Sequence, residues 1–209
     1  MRHTRVAGFA ERTAHGSPIG RREGPWVRLV VTVLIWACLA GPIAHAQQSR
    51  PTEYQVEATY LYNFGKFVNW SATNMAAKDD SFAICVLGQD PFGAALDAVL
   101  AQQSIGGKSV VARRITKPQE ALNCRILFIS SSEDRQLKGV LAALDGAGIL
   151  TVSDIPQFSQ RGGMIEFTLE GNKVRFEVNL TTAENARLIL SSELLKVAVT
   201  VRRNSQSGD

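Results

Sequence analysis

The chain has 209 residues, with 23 Lys+Arg against 19 Asp+Glu. The excess charge sits in the first 46 residues; residues 47–209 carry 17 of each sign, which removes any electrostatic case for nucleic acid or anionic lipid. His3, His15 and His45 also lie in that leading stretch, so residues 47–209 exclude a Ser-His-Asp or Cys-His nucleophile, a His-ligated zinc and a His general base.

The first element is a leader. Residues 29–40 (LVVTVLIWACLA) form an apolar run, shorter than the ~20 residues of a membrane span. Arg21, Arg22 and Arg28 precede it and Ala44-His45-Ala46 follows, the pattern of a secretory signal peptide cleaved after Ala46. An uncleaved anchor helix is the competing reading. Cleavage leaves 163 residues beginning at Gln47, enough for one domain with a single sizeable core. Cys38 leaves with the leader. Cys85 and Cys124 remain, an even count in an exported chain, and are expected to form a disulfide; two buried free thiols are the alternative.

Glu53 to Val68 has helical spacing, with Glu57, Tyr60, Leu61, Phe64, Phe67 and Val68 on one side. Tyr54, Val56, Tyr62 and Trp70 add apolar bulk elsewhere, so ordinary core packing and a partner face compete for this helix. Residues 71–81 read as a polar linker. Phe82–Leu87 is a continuous apolar run, as in a strand buried on both faces. Asp90 and Pro91 have the chemistry of a helix start, with Ala94–Leu100 continuing it. Ser109–Ile115 reads as a mixed strand near an edge, 118–122 as a short helix at best, and Arg125–Ile129 as a second buried strand. Ser132, Glu133 and Asp134 open a helix through Leu144, and Ile149–Val152 is the next strand.

Ile165, Phe167 and Leu169, then Val174, Phe176 and Val178, alternate with polar residues about the tight-turn signal Glu170-Gly171-Asn172-Lys173, predicting a hairpin. A capping box at Thr181 and Glu184, followed by Ala186, Leu190, Leu194, Val197 and Val201, predicts one long closing helix. Residues 47–203 therefore read as a single α/β domain, and 204–209 as a disordered polar tail. The expected architecture is a three-layer sandwich: a mostly parallel sheet, an antiparallel C-terminal hairpin at its edge, and flanking helices.

Two features invite ligand chemistry. Leu87–Ala94 has G-x-x-x-x-G spacing after a strand but lacks the Lys and Ser/Thr of a phosphate loop, and Asp90 would repel phosphate. Arg161-Gly162-Gly163, with Asp154 and Phe158, is a candidate small-ligand loop at the sheet's end; a bare tight connection is the other reading. Glu166 and Glu177 read as solvated cross-strand partners of nearby cations rather than an acid/base pair. No metal site or cofactor is predicted.

Ser153-Asp154-Ile155 with Phe158, Arg161-Gly162-Gly163-Met164-Ile165, Val174-Arg175-Phe176-Glu177-Val178-Asn179, the segment from Leu190 to Ala198, and Phe64 to Trp70 resemble the YfiR family. The resemblance spans nearly all of residues 53–203. It implies a non-enzymatic periplasmic repressor that binds the periplasmic domain of an inner-membrane diguanylate cyclase and so lowers cyclic di-GMP and biofilm formation. It further implies a homodimer, an outer-membrane lipoprotein that relieves repression, and contact with the membrane only through the partner. Tyr54, Tyr60, Tyr62, Phe67 and Trp70 are the expected partner-binding residues, Tyr54 and Tyr62 being the most exposed in this reading. A periplasmic small-ligand sensor feeding another membrane receptor, and an exported histidine-free enzyme, are the rival functions.

Overall fold

The computed structural model describes residues 52–70 and 80–203. The leader, its cleavage site, most of the 71–81 linker and the tail lie outside the described residues.

The first helix, α1 (Glu53–Phe67), starts at a capping box that the sequence reading missed. Gln55 N donates to Thr52 Oγ1 at 3.4 Å, and Thr52 N donates to Gln55 Oε1 at 2.8 Å. The chain then turns extended into β1 (Val68–Trp70). After β2 (Ser81–Leu87), α2 (Ala94–Leu100), β3 (Ser104–Ile105) and β4 (Lys108–Ile115), a 3-10 turn over Pro118–Asn123 leads to β5 (Ile126–Ile129). A 3-10 segment (Ser131–Gln136), α3 (Leu137–Ala143) and β6 (Leu150–Ser153) follow, then the hairpin β7 (Ile165–Glu170) and β8 (Lys173–Asn179). The chain closes with α4 (Leu180–Asn185), β9 (Leu188–Leu190), α5 (Ser192–Val197) and β10 (Thr200–Arg202).

Eight strands form one sheet in the order β10-β8-β7-β6-β5-β2-β4-β3, with antiparallel pairing only at β7–β8 and β3–β4. β2 shows why the sheet must be covered twice. Phe82, Ile84 and Val86 enter one core with α1, α2 and α4, while Ala83, Cys85 and Leu87 enter the other with α3. A strand with no polar face has to be sandwiched, so the expected three-layer α/β architecture is what the chain adopts. The hairpin turn is also as expected: Gly171 and Asn172 both take positive φ, 53° and 64°, the conformation of a type I′ connection.

The long closing helix is not formed. Asn179, not Thr181, is the cap, its Oδ1 accepting from Thr182 N at 3.1 Å. α4 ends after one and a half turns because Arg187 takes φ 61°, and Leu188–Leu190 then pairs antiparallel with Trp70–Val68. Ser191 caps a second short helix through Leu194 N. The i, i+4 stripe combined residues from separate elements; Ala186, Leu190 and Leu194 are buried, but Val197 is 62% exposed. The hairpin is likewise not the sheet edge, since β10 pairs parallel with β8 beyond it. The helix expected at Asp90 begins three residues later. Asp90 Oδ1 instead accepts from Phe92 N at 2.8 Å, turning Phe92 into the core, and its Oδ2 meets Arg114 Nε at 2.9 Å. The helix expected from Ser132 to Leu144 is 3-10 in its first half.

Candidate partner-binding face

α1 organises the site because it packs on the sheet with one side and leaves the other between α2 and α5. Its buried side is Glu57, Ala58, Leu61, Phe64 and Gly65. Gly65 is required by packing: a Cβ there would lie 2.5 Å from Ile105 Cδ1 and 3.1 Å from the Phe82 ring. Phe64 sits in an aromatic cluster, with ring centroids 5.1 Å from Phe176, 5.9 Å from Phe167 and 5.9 Å from Tyr60. Such edge and offset contacts fix ring orientation beyond simple burial.

Two of the grooves along α1 share residues of its outer side. The larger, about 650 Å³, has Val56, Tyr60 and Asn63 on one wall and Ala95, Ala98 and Val99 of α2 on the other. The smaller, about 260 Å³, runs from Tyr60, Phe64 and Phe67 to Leu194 and Val197 of α5. Tyr60 and Asn63 line both, so the grooves join into one surface across the helix. Phe67 is 39% exposed at its end.

The five aromatic residues expected at a partner surface therefore divide. Tyr60 and Phe67 line the grooves. Tyr62 is half-buried beneath Lys66, whose Nζ lies 5.1 Å from the ring centroid. Trp70 packs edge-on to Phe82 at 5.3 Å. Tyr54 is half-buried as well, contrary to its expected exposure, edge-on to Phe92 at 5.7 Å with its hydroxyl donating to Asp154 Oδ2 at 3.4 Å.

That last contact belongs to an acidic cluster where α1 meets the end of β6. Glu57 is 1% exposed, and its Oε2 has no hydrogen-bond partner. Asp154 follows β6 directly, in a turn held by Ser153, whose Oγ donates to Ile129 O at 2.6 Å and accepts from Ile155 N at 3.0 Å. Burial pushes the Asp154 carboxyl above the usual carboxylate range. Burial, then Asp154 and Glu53, push Glu57 up to about 8.

The candidate ligand loop does not converge. Asp154 faces α1, whereas Phe158 is fully buried in the core on the opposite side of the sheet. Gly163 is needed so that the Phe158 ring can fill the space where a side chain would stand. Arg161 is turned outward to Asp134, Nη1 to Oδ1 at 2.6 Å. Of the five residues, Gly162 lines a notch of about 120 Å³. The loop is closed by its own side chains. Glu166 is the reason it holds: this buried carboxylate accepts from Gln157 N at 2.8 Å, Ser159 N at 3.0 Å and Ser159 Oγ at 2.8 Å. The expectation that Glu166 is solvated was wrong, because the loop folds back over its strand. Glu177, directly opposite it, is neutralised by Arg202 of β10 at 2.9 Å, a partner distant in sequence. The disulfide is present; Cys85 and Cys124 are bridged with Cα atoms 6.0 Å apart.

Residues 54–199 match the YfiR/HmsC-like family. The chain belongs to that family. It is a regulatory rather than a catalytic family, and the matched span contains α1 from Tyr54 onward, the two joined grooves, and Glu57 with Asp154. Two solved structures are similar at low identity. One is a conserved domain protein from Vibrio cholerae O1 biovar eltor, 12% identical, covering 72% of this chain and 60% of that one, with a TM-score of 0.49. The other is the ABC domain in complex with L-Trp from Streptococcus pneumonia, 10% identical, covering 69% and 60%, also with a TM-score of 0.49. The chain thus spans about 60% of the length of each structure. Among the described residues no helix is long and apolar enough to cross a membrane.

Sequence reasoning missed Glu57 as a functional candidate, although an acid on the apolar stripe of a helix was the available signal. Its meeting with Asp154 and Tyr54, residues 100 apart in the chain, carried no local mark.

Proposed function

We propose that this protein is exported to the periplasm, its leader cleaved after Ala46, and represses an inner-membrane diguanylate cyclase by direct contact with the cyclase's periplasmic domain. Family membership over residues 54–199 supports the partner class. The observation that carries the contact site is the joined pair of grooves along α1, with Phe67 and Val197 exposed on its rim. An apolar, aromatic surface of this kind suits a protein partner, since rings in half-filled grooves are common binding anchors. Asn63 at the junction supplies a polar group to orient the partner. In this reading the protein acts as a homodimer and is withdrawn from the cyclase by an outer-membrane lipoprotein.

Deletion of the gene should raise cyclic di-GMP and biofilm, and re-expression should reverse both. The Phe67→Ala chain should accumulate normally yet reverse poorly. Tyr54→Ala is a less direct probe, because that ring also holds Asp154. Unchanged cyclic di-GMP on deletion would remove the cyclase as target.

A further inference from the structure

The cluster of Glu57, Asp154 and Tyr54 is unlike the other ionic contacts of the described chain. Asp90 and Asp97 share Arg114, Asp134 has Arg161, and Glu177 has Arg202. Among the described residues, Glu57 and Asp154 have no such cation. Each keeps one buried oxygen without a hydrogen-bond partner, Oε2 and Oδ1 respectively. The charges bearing on Glu57 are those of Asp154 and Glu53, both anionic. Among the described residues, no cation of the elements packed around α1 is paired with Glu57. On α2, Asp97 is bound to Arg114; on β8, Lys173 and Arg175 line a separate groove beside Glu53 and Val56; on α5, Glu193 lies by Asn63 and Phe67; and Lys66 is over Tyr62. No group of three potential metal ligands exists among the described residues.

With no cation from the described residues to offset the two neighbouring carboxylates, the species that relieves them is a proton. Like charges sharing a buried site cannot both ionise cheaply. The Tyr54 hydroxyl donates to Asp154 Oδ2 and so favours the ionised form there, whereas Glu57 Oε2 has no donor. The proton therefore rests on Glu57. From this arrangement we infer that the Glu57–Asp154 pair is a proton-operated latch, which seats the first half of α1 on the end of β6 while one proton is held and loosens it when the second carboxyl ionises. Glu57 is buried on the same turns of α1 that present Val56, Thr59 and Tyr60 to the larger groove. Loosening these turns reshapes that groove, so alkaline pH would weaken whatever binds there; the latch itself does not depend on what that is.

The direction of the effect follows from proton uptake. Glu57 titrates near 8 in place and near the ordinary glutamate value of 4.5 when exposed. Between those values the closed state binds a proton that the open state lacks, so closure weakens as pH rises and is level outside the window. Opening of α1 should then increase about tenfold per pH unit from pH 6 and flatten above pH 8.

The test is amide hydrogen exchange of the full mature chain from pH 6 to 9, corrected for intrinsic rates, with the Glu57→Gln and Asp154→Asn chains beside it. Expected is a rise of more than tenfold in α1 opening between pH 6 and 8 with β5 amides unchanged, abolished in Glu57→Gln and reduced in Asp154→Asn. Should Glu57→Gln not fold, Asp154→Asn alone decides, because removing the neighbouring charge must shrink the rise. Equal changes in α1 and β5, or an undiminished pH response in the variants, overturn the latch.

Discussion

Replacing Glu166 by Ala should be among the most damaging single changes that leave the hydrophobic core intact. The carboxylate accepts three hydrogen bonds, two from the backbone of the loop at Gln157 and Ser159 and one from the Ser159 hydroxyl. Truncation leaves those amides facing protein without an acceptor, at about 1–3 kcal/mol per unsatisfied group. Removing a like charge opposite Glu177 returns less than about 1 kcal/mol, since Arg202 already screens that position. The net expectation is a loss of about 2–5 kcal/mol. Glu166→Gln keeps the shape and one acceptor oxygen and should lose about half as much. Urea denaturation of the mature chain measures both, with the slope unchanged because the surface exposed on unfolding is the same. Exchange of the Gln157 and Ser159 amides should accelerate while that of β5 does not. A Glu166→Ala midpoint equal to wild type would refute the reasoning and mean that the loop closes through Phe158 packing alone.

The disulfide spans 39 residues, for which loop-closure entropy gives about 4 kcal/mol; Cys85→Ala/Cys124→Ala should lower Tm by about 10 °C, and two titratable thiols in the unreduced wild type would contradict the bridge. Gly163→Ala should cost about 1–3 kcal/mol in a thermal melt, because the added methyl meets the fully buried Phe158 ring. The exported protein should begin at Gln47 by N-terminal sequencing; recovery of intact residues 1–209 in washed membranes would reject cleavage.

The fold was legible wherever the sequence pattern had one structural solution. Apolar runs at Phe82–Leu87 and Arg125–Ile129 could only be central strands, and the alternation about Gly171-Asn172 could only be a hairpin. The closing segment failed because its spacing was ambiguous. Ala186, Leu190 and Leu194 are buried, but by separate short elements whose breaks are set by Arg187 and by pairing of β9 with β1, neither visible locally. Of the site, α1 was legible as an aromatic helix, but which rings line grooves depended on α2 and α5. Tyr54 looked peripheral by spacing and is instead held by Asp154. Gly163 of the Gly162-Gly163 pair looked like part of an opening for a ligand, and its missing side chain leaves room for Phe158.

The central claim is repression by contact through the outer face of α1. The direct measurement is conversion of GTP to cyclic di-GMP by a detergent-solubilised diguanylate cyclase from the same cells, titrated with the mature chain. The account predicts a saturable fall in activity, with the Phe67→Ala curve displaced to roughly 30-fold higher concentration, the equivalent of about 2 kcal/mol for one anchor. Undiminished activity at saturating wild-type protein would contradict it.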